Sequence, residues 1–354
     1  MKTAQSGRLE EIDVLRGLAA MCVVLSHYST HCVKFFQEPP FGFNLDTIYG
    51  FYAVQLFFII SGFVISLTLE KCNSWRDFAF SRMSRLFPAY WTAVTLMVAV
   101  EILVFGKTLW IGGYVTNMTM LQEFIGFPNL DNVFWTLTVE LAFYAIMGAI
   151  FAAGLLPRIE LLAAIWLAVA CLWSLVEQYL GFGLPASLPR FLILRHVPFF
   201  VAGIAFYRIA AGGLTPPRLA LILAALAAAG WIDAIPDTYA PAAVGWINAL
   251  QRMGIAAILF ALFGLAVAGK LRFAVSPVTL WLGACSYPLY LSHRNLGFST
   301  LDRLHELGVP VWLLFTMTLV GALILAAALT TLVERPALRA LRRWYRTRPS
   351  RQSP

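Results

Sequence analysis

Charge is scarce in this chain. Only 12% of its 354 residues are Asp, Glu, Lys or Arg, against 60% hydrophobic residues, and its mean hydropathy is +0.76. A soluble domain of this size cannot clothe its surface with so few charges, so the chain is read as a polytopic membrane protein. Ten-residue alternation of polar and apolar side chains is also missing, which excludes a transmembrane barrel and leaves an all-α architecture. No hydrophilic stretch is long enough for a second domain, and no internal repeat recurs at a fixed period. Residues 1–354 are therefore expected to form a single integral-membrane domain with a basic tail at 335–354. The five cysteines (Cys22, Cys32, Cys72, Cys171 and Cys285) have no metal-type spacing, which argues against a zinc site and a disulfide framework. They are read as small core residues, and no metal is expected.

What the chain has in abundance is apolar runs. They predict about ten spans, near residues 12–33, 48–70, 87–105, 134–156, 160–179, 191–211, 218–235, 242–268, 276–297 and 308–333. With an even number of spans and the N-terminus in the cytoplasm, 19 of the 26 basic residues fall on inner segments, including the seven arginines from Arg335 to Arg351. The positive-inside rule thus favours two cytoplasmic termini, and the formal net charge of +8 reflects topology without calling for nucleic acid. The first run follows Glu10, Glu11 and Asp13, contains Arg16 and His27 and lacks a small-x-small cleavage site, so it is read as a retained span and not a signal peptide. The outer connection at 106–133 carries Trp110, Tyr114, Phe124, Phe127 and Pro128, which suits a segment on the membrane interface that shapes an acceptor entrance.

Within the first run, RGLAAMCVVLSH places Arg16 eleven residues before His27. Eleven residues return to within about 20° of the start, so both side chains share one helix face about 16 Å apart along the axis. An ionisable group on a lipid-facing surface costs at least about 2.5–3.5 kcal/mol, so this stripe is expected to line an inward polar path. An interhelical hydrogen bond is the plainer alternative for His27. Cys22 lies about 140° around the helix, away from that face.

Three further motifs bear on chemistry. In SRMSRLFP, Arg82 and Arg85 are three apart on what is predicted to be a short helix, with Pro88 opening the third span; two guanidiniums on one face suit phosphates, or else simply anchor the inner surface. In FFIISGF, the Ser61-Gly62 pair permits close approach of a helix or a thin ligand. In FWTLTVELAFY, Glu140 is expected about 9 Å below the outer surface, at the depth of His27, where it could orient the imidazole. The alternative for Glu140 is a salt bridge with Arg195 or Arg252. SYPLYLSH brings Tyr290 and His293 to an outer boundary behind a helix-kinking Pro288, with Tyr290 read first as an anchor or core residue.

Together RGLAAMCVVLSH, FFIISGFVI, SRMSRLFPAYW, FWTLTVELAFY, CSYPLYLSH and LVERP resemble, in order and spacing and across nearly the whole chain, the membrane acyltransferase-3 family. The resemblance matches that family's motifs to Arg16 and His27, to Arg82 and Arg85, and to Trp135, Leu137 and Glu140. It implies transfer of an acyl group, usually acetyl from acetyl-CoA, to a hydroxyl of an extracytoplasmic or lipid-linked glycan, in some members to a small molecule such as a macrolide. The chain would do this without the esterase-like domain some relatives carry, in a multi-pass bacterial inner membrane. On this reading His27 is the general base and Glu140 its orienting carboxylate; Arg16, Arg82, Arg85, Ser61 and Gly62 hold the acyl-CoA; Trp135, Arg252, Tyr290 and His293 face the acceptor. Direct transfer and an acyl-enzyme on Cys22, Ser26 or His27 both remain open. A transporter or flippase would use the same polar stripe as a relay, and a non-catalytic partner of a glycan synthase would not need it.

Overall fold

The computed structural model describes residues 2–42, 50, 52–108, 110–180, 187–232 and 249–347, and among these the regular elements are helices without a strand. The first is α1 (Lys2–His31), which runs on into a π-helical turn at Cys32–Phe36. There follow α2 (Ala53–Leu69), α3 (Trp75–Leu103), the short α4 (Ile111–Asn117), α5 (Trp135–Ala152), α6 (Ile159–Leu180), the short α7 (Ser187–Phe191), α8 (Val197–Gly212), α9 (Pro216–Trp231) and α10 (Ala249–Val267). The chain continues through α11 (Pro277–Ser292), α12 (Arg294–Glu306), α13 (Val311–Ala328), a second π-helical turn at Leu329–Glu334 and α14 (Arg335–Arg346). Among the described residues, six helical segments are long and apolar enough to cross a membrane: Glu10–Phe36, Trp75–Leu103, Asn132–Ala152, Leu156–Tyr179, Ala249–Val267 and Val311–Arg346. α2, α8 and α9 are shorter apolar helices. Residues 48–49, 51, 233–235 and 242–248 of the expected spans, and 348–354 of the expected tail, lie outside the described residues.

Two helix pairs pack with almost no side chain between them. A Cβ built on Gly17 of α1 would lie 2.6 Å from the backbone nitrogen of Gly283 on α11. One built on Gly203 of α8 would lie 2.1 Å from the carbonyl of Ile59 on α2. In lipid, where no hydrophobic drive brings helices together, such backbone-to-backbone contact supplies the dispersion that holds them. The pairs join α1 to α11 and α2 to α8, and α1, α2 and α11 line one interior space together with α3 and α5.

Three sequence expectations need correction. Arg82 and Arg85 do not sit on a separate short helix: α3 begins at Trp75, capped by Ser74, whose hydroxyl accepts from the amide of Asp77 at 3.2 Å. It then passes Pro88 without a break, as proline in a membrane helix can when neighbouring helices support it. The span expected at 276–297 ends instead at Ser292, and α12 starts at Arg294. Asp131 fixes this break, its carboxylate accepting from the Asn295 amide at 2.9 Å and meeting Arg294 at 3.4 Å, as a helix N-terminus favours. Of the cysteines, all free, Cys32 and Cys285 are buried as expected but Cys22 is exposed, because its offset from the His27 face turns it outward.

The C-terminal helix folds back. Tyr345 of α14 donates to Asp77 at 2.7 Å and stacks on Phe80 at 4.0 Å, both on the first turns of α3. This brings the arginine-rich end of the described chain beside the start of the helix that carries Arg82 and Arg85.

Candidate active site

A cavity of about 120 Å³ opens between α1, α2, α3, α5 and α11. Arg16, Arg82 and Arg85 supply its cations, Glu140 its carboxylate, and Ser61, Thr136, Tyr144, Ser286, Tyr287 and Tyr290 its hydroxyls. The rest of the wall is apolar, including Phe57, Phe58 and Leu137. The two arginines of SRMSRLFP therefore face the interior of the bundle, since α3 is continuous and carries them inward.

The three guanidiniums differ in their partners. Arg16 meets Asp13 at 3.0 Å, one turn earlier on α1. Arg85 forms an ion pair with the buried Glu334 in the second π-helical turn. Arg82 donates to the Ser81 hydroxyl at 3.0 Å and lies over the Tyr144 ring at 6.0 Å, and its Nε is buried without a hydrogen-bond partner. Among the described residues no carboxylate forms a salt bridge with it. A partly buried guanidinium with an unused donor is unfavourable unless a further acceptor completes it.

Glu140 is part of this cluster. Its Oε1 accepts from Ser61 at 2.8 Å and from Tyr144, one turn on, at 2.5 Å. The expected pairing with His27 at matched depth is not what the structure contains. Thr136 and Tyr290 lie side by side, their hydroxyls 3.0 Å apart. Glu140 lies one turn beyond Thr136 in one direction and His293 three residues beyond Tyr290 in the other, which separates their levels by about 10 Å. Counting inward from span ends failed because the ends are not level: Asp131, just before α5, is held at the break between α11 and α12.

His27 instead meets His293. The Nδ1 of His27 is 2.8 Å from the Nε2 of His293, and the rings stack with centroids 5.1 Å apart. His293 is fully buried, and its Nδ1 lies 2.9 Å from the carbonyl of Tyr290 and 3.2 Å from that of Leu289. Tyr28 donates to the His293 carbonyl at 2.8 Å, so α1 grips the helix break twice. Tyr290 lines the cavity and touches His293 ring to ring, with centroids 5.8 Å apart. Of the Arg16–His27 stripe, Arg16 lines the cavity, whereas His27 and His293 lie beyond its wall at Tyr290.

Three other predicted residues are placed elsewhere. Gly62 is turned toward α8, where a Cβ would lie 2.3 Å from the Phe200 carbonyl, so it packs helices while its neighbour Ser61 faces the cavity. Arg252 donates to the Gly230 carbonyl at 3.2 Å, between α10 and α9. Trp135 stacks on His196 at 5.2 Å; neither it nor Arg252 lines the cavity. Arg195 pairs with Glu177 at 3.3 Å. The sequence reading missed Tyr144, Tyr287 and Glu334, the last of which lies in LVERP. It also missed a second histidine on the α1 stripe: His31, one turn past His27, meets Asp302 at 2.6 Å and stacks on Phe298. Its i,i+4 spacing from His27 was the available signal. Asp131, beside these groups but outside the spans, has its carboxyl raised above the ordinary value by burial, against the opposing pull of Arg294.

Comparison with known proteins gives the following. The family model described as an acyltransferase domain matches residues 9–331. "Acyltransferase MdmB" of Streptomyces mycarofaciens is 26% identical over 95% of this chain and 93% of its own length. "Nodulation protein 10" of Rhizobium leguminosarum bv. viciae is 25% identical over 94% of each chain. An "O-acetyl transferase" of Shigella phage Sf6 is 39% identical over 22% of each. No solved structure matches. Among the described residues no group of His, Cys, Asp and Glu is arranged to hold a metal ion.

Proposed function

This chain belongs to the acyltransferase-3 family of membrane acyltransferases, and from that premise we propose that it moves an acetyl group from cytoplasmic acetyl-CoA to a hydroxyl of an extracytoplasmic or lipid-linked glycan in a bacterial inner membrane. The observation that carries the reading is Arg82, an arginine with an unused buried donor on the wall of a cavity whose Tyr290 touches His293, a partner of His27. The phosphates of coenzyme A suit Arg16, Arg82 and Arg85. The axial distance from Arg16 to His27, about 16 Å, is of the order of an extended pantetheine arm, so phosphates held by the arginines leave the thioester beside the imidazole. The phage relative's name supports an oxygen nucleophile and acetyl as the group moved.

A sugar hydroxyl is a weak nucleophile at neutral pH. His27 takes its proton as the oxygen attacks the thioester carbonyl, the carbon–sulfur bond breaks, and the proton passes to the departing thiolate to give free coenzyme A. Glu140 holds Ser61 and Tyr144 in place and offsets one of the three cavity cations, leaving room for a polyanion without an uncompensated cluster. Tyr290 lies where an acceptor approaching the histidine pair would meet the end of the cavity.

The test is transfer of labelled acetyl from acetyl-CoA, by the full chain in proteoliposomes, to surface glycan from a strain lacking the protein. Ester-linked label on the glycan, lost with His27→Ala, is the expected result. Movement of glycan across the bilayer with no acetyl transferred would overturn it in favour of a flippase.

A further inference from the structure

We propose that α14 binds the phosphates of anionic phospholipid headgroups through a stripe of four arginines. The helix reads RPALRALRRWYR over Arg335–Arg346. At about 100° per residue, Arg335, Arg339, Arg342 and Arg346 all fall within a sector of about 60°, with Arg343 at its edge, and the stripe is about 16 Å long. All four are exposed. Arg339 donates to the Arg335 carbonyl at 3.3 Å, and among the described residues no carboxylate forms a salt bridge with any of the four. Neighbouring guanidiniums at i,i+3 and i,i+4 repel, so the stripe weakens its own helix unless an external anion lies along it.

The occupant follows from where the helix is held. Glu334, just before α14, pairs with Arg85, and Tyr345 near the other end meets Asp77 and Phe80. α14 therefore runs antiparallel beside the first turns of α3, which begins at Trp75 soon after the apolar α2 ends at Leu69. It also follows directly on the apolar α13 and its π-helical turn. These helix ends mark a membrane boundary, and the exposed Trp75 and Trp344 are the aromatic residues that such a boundary favours. The half-buried Leu338, Leu341 and Tyr345 form a second stripe about a quarter turn from the arginines, so the arginines lie to the side of α3 and not against it. No residue of α14 lines the cavity, so the stripe does not meet a donor held there. What a charged helix meets at the edge of a bilayer is headgroups. A guanidinium can bond two phosphate oxygens at once, and a headgroup of net negative charge adds an attraction that a zwitterionic one lacks.

The test is native mass spectrometry of the purified full chain in detergent with added dioleoyl phosphatidylglycerol or dioleoyl phosphatidylcholine. Wild type is expected to retain phosphatidylglycerol at least about tenfold more tightly than phosphatidylcholine. A variant with all four arginines replaced (Arg335→Gln, Arg339→Gln, Arg342→Gln and Arg346→Gln) should lose that preference. A second variant removes the same number of charges from exposed basic residues elsewhere (Lys71→Gln, Arg158→Gln, Lys270→Gln and Arg272→Gln) and should keep it. Glutamine is a good helix former and the sites are exposed, so thermal unfolding midpoints should stay close to that of wild type. Should the stripe variant prove unstable, the pairs Arg335→Gln with Arg339→Gln and Arg342→Gln with Arg346→Gln should each lose part of the preference. Equal loss in the stripe and scattered variants would make the effect one of net charge and overturn the proposal. Lipid preference unchanged in the stripe variant would overturn it too, and if binding of labelled acetyl-CoA fell there instead, the stripe would belong to the donor.

Discussion

Arg85 and Glu334 are ion-paired across the bundle, one on α3 at the cavity wall and the other in the π-helical turn that leads into α14. Glu334 is buried, and its second oxygen has no hydrogen-bond partner. Removing one member of such a pair strands the other. Glu334→Gln is therefore expected to destabilise the protein by about 3 kcal/mol, read as a lowered midpoint of thermal unfolding in detergent. The double replacement Arg85→Met with Glu334→Leu should recover most of that loss yet still bind acetyl-CoA poorly. A double variant that binds as well as wild type would show that Arg85 serves only the fold.

Arg82 gives the sharper binding prediction because among the described residues no carboxylate forms a salt bridge with it. Arg82→Ala should raise the KM for acetyl-CoA about 10- to 100-fold, the worth of one charge-assisted hydrogen bond, with a smaller effect on the KM for glycan. Folding should not suffer, since the change removes a buried unpaired donor. Unchanged binding of labelled acetyl-CoA to the purified variant would return Arg82 to the role of a topology anchor.

Much of this was legible in the sequence, and what was not has a physical reason. The Arg16–His27 stripe followed from helix periodicity alone, because both residues lie on one unbroken helix whose geometry fixes their relation. The position of Arg82 and Arg85 was missed because Pro88 suggests a helix start, while Ser74 supplies a better cap and membrane neighbours tolerate the proline. The partner of His27 was missed because it is a long-range contact. Local pattern gives the face of a helix but not the height at which a second helix meets it, and Glu140 and His293 differ by about 10 Å in that respect. Within the Ser61-Gly62 pair, the dipeptide alone could not say which residue faces the cavity and which faces α8.

Asp131 links stability to pH. Burial raises its carboxyl above the ordinary value of 3.8 despite Arg294 and the amides of Asn295 and Val133. The folded state thus binds this proton more tightly than the unfolded chain does. Between the unfolded and folded values the native state holds more protons, so the Asp131 contribution to stability falls as pH rises through that window and is greatest below it. Asp131→Asn does not titrate, so the stability of wild type relative to the variant should decline as pH rises above about 4. A difference that stays flat from acid to neutral pH would mean that Asp131 titrates alike in both states.

Gly62 and Ser61 separate packing from chemistry at adjacent positions. Exchanging glycine for alanine inside a helix ordinarily stabilises it by up to about 1 kcal/mol. Here the added methyl would lie 2.3 Å from the Phe200 carbonyl and 3.0 Å from the Cα of Gly203, so backbone, not a flexible side chain, would have to move. Gly62→Ala is therefore expected to reverse the usual sign and lower the unfolding midpoint, with the α2 and α8 pair forced apart. Ser61→Val replaces the hydroxyl that donates to Glu140 with two methyl groups at the cavity wall, so it should leave stability within about 1 kcal/mol but raise the KM for acetyl-CoA. Thermal unfolding and donor kinetics of the two variants, measured side by side, decide it: a stable Gly62→Ala with impaired donor binding would put the glycine on the donor path and the close helix contact in error.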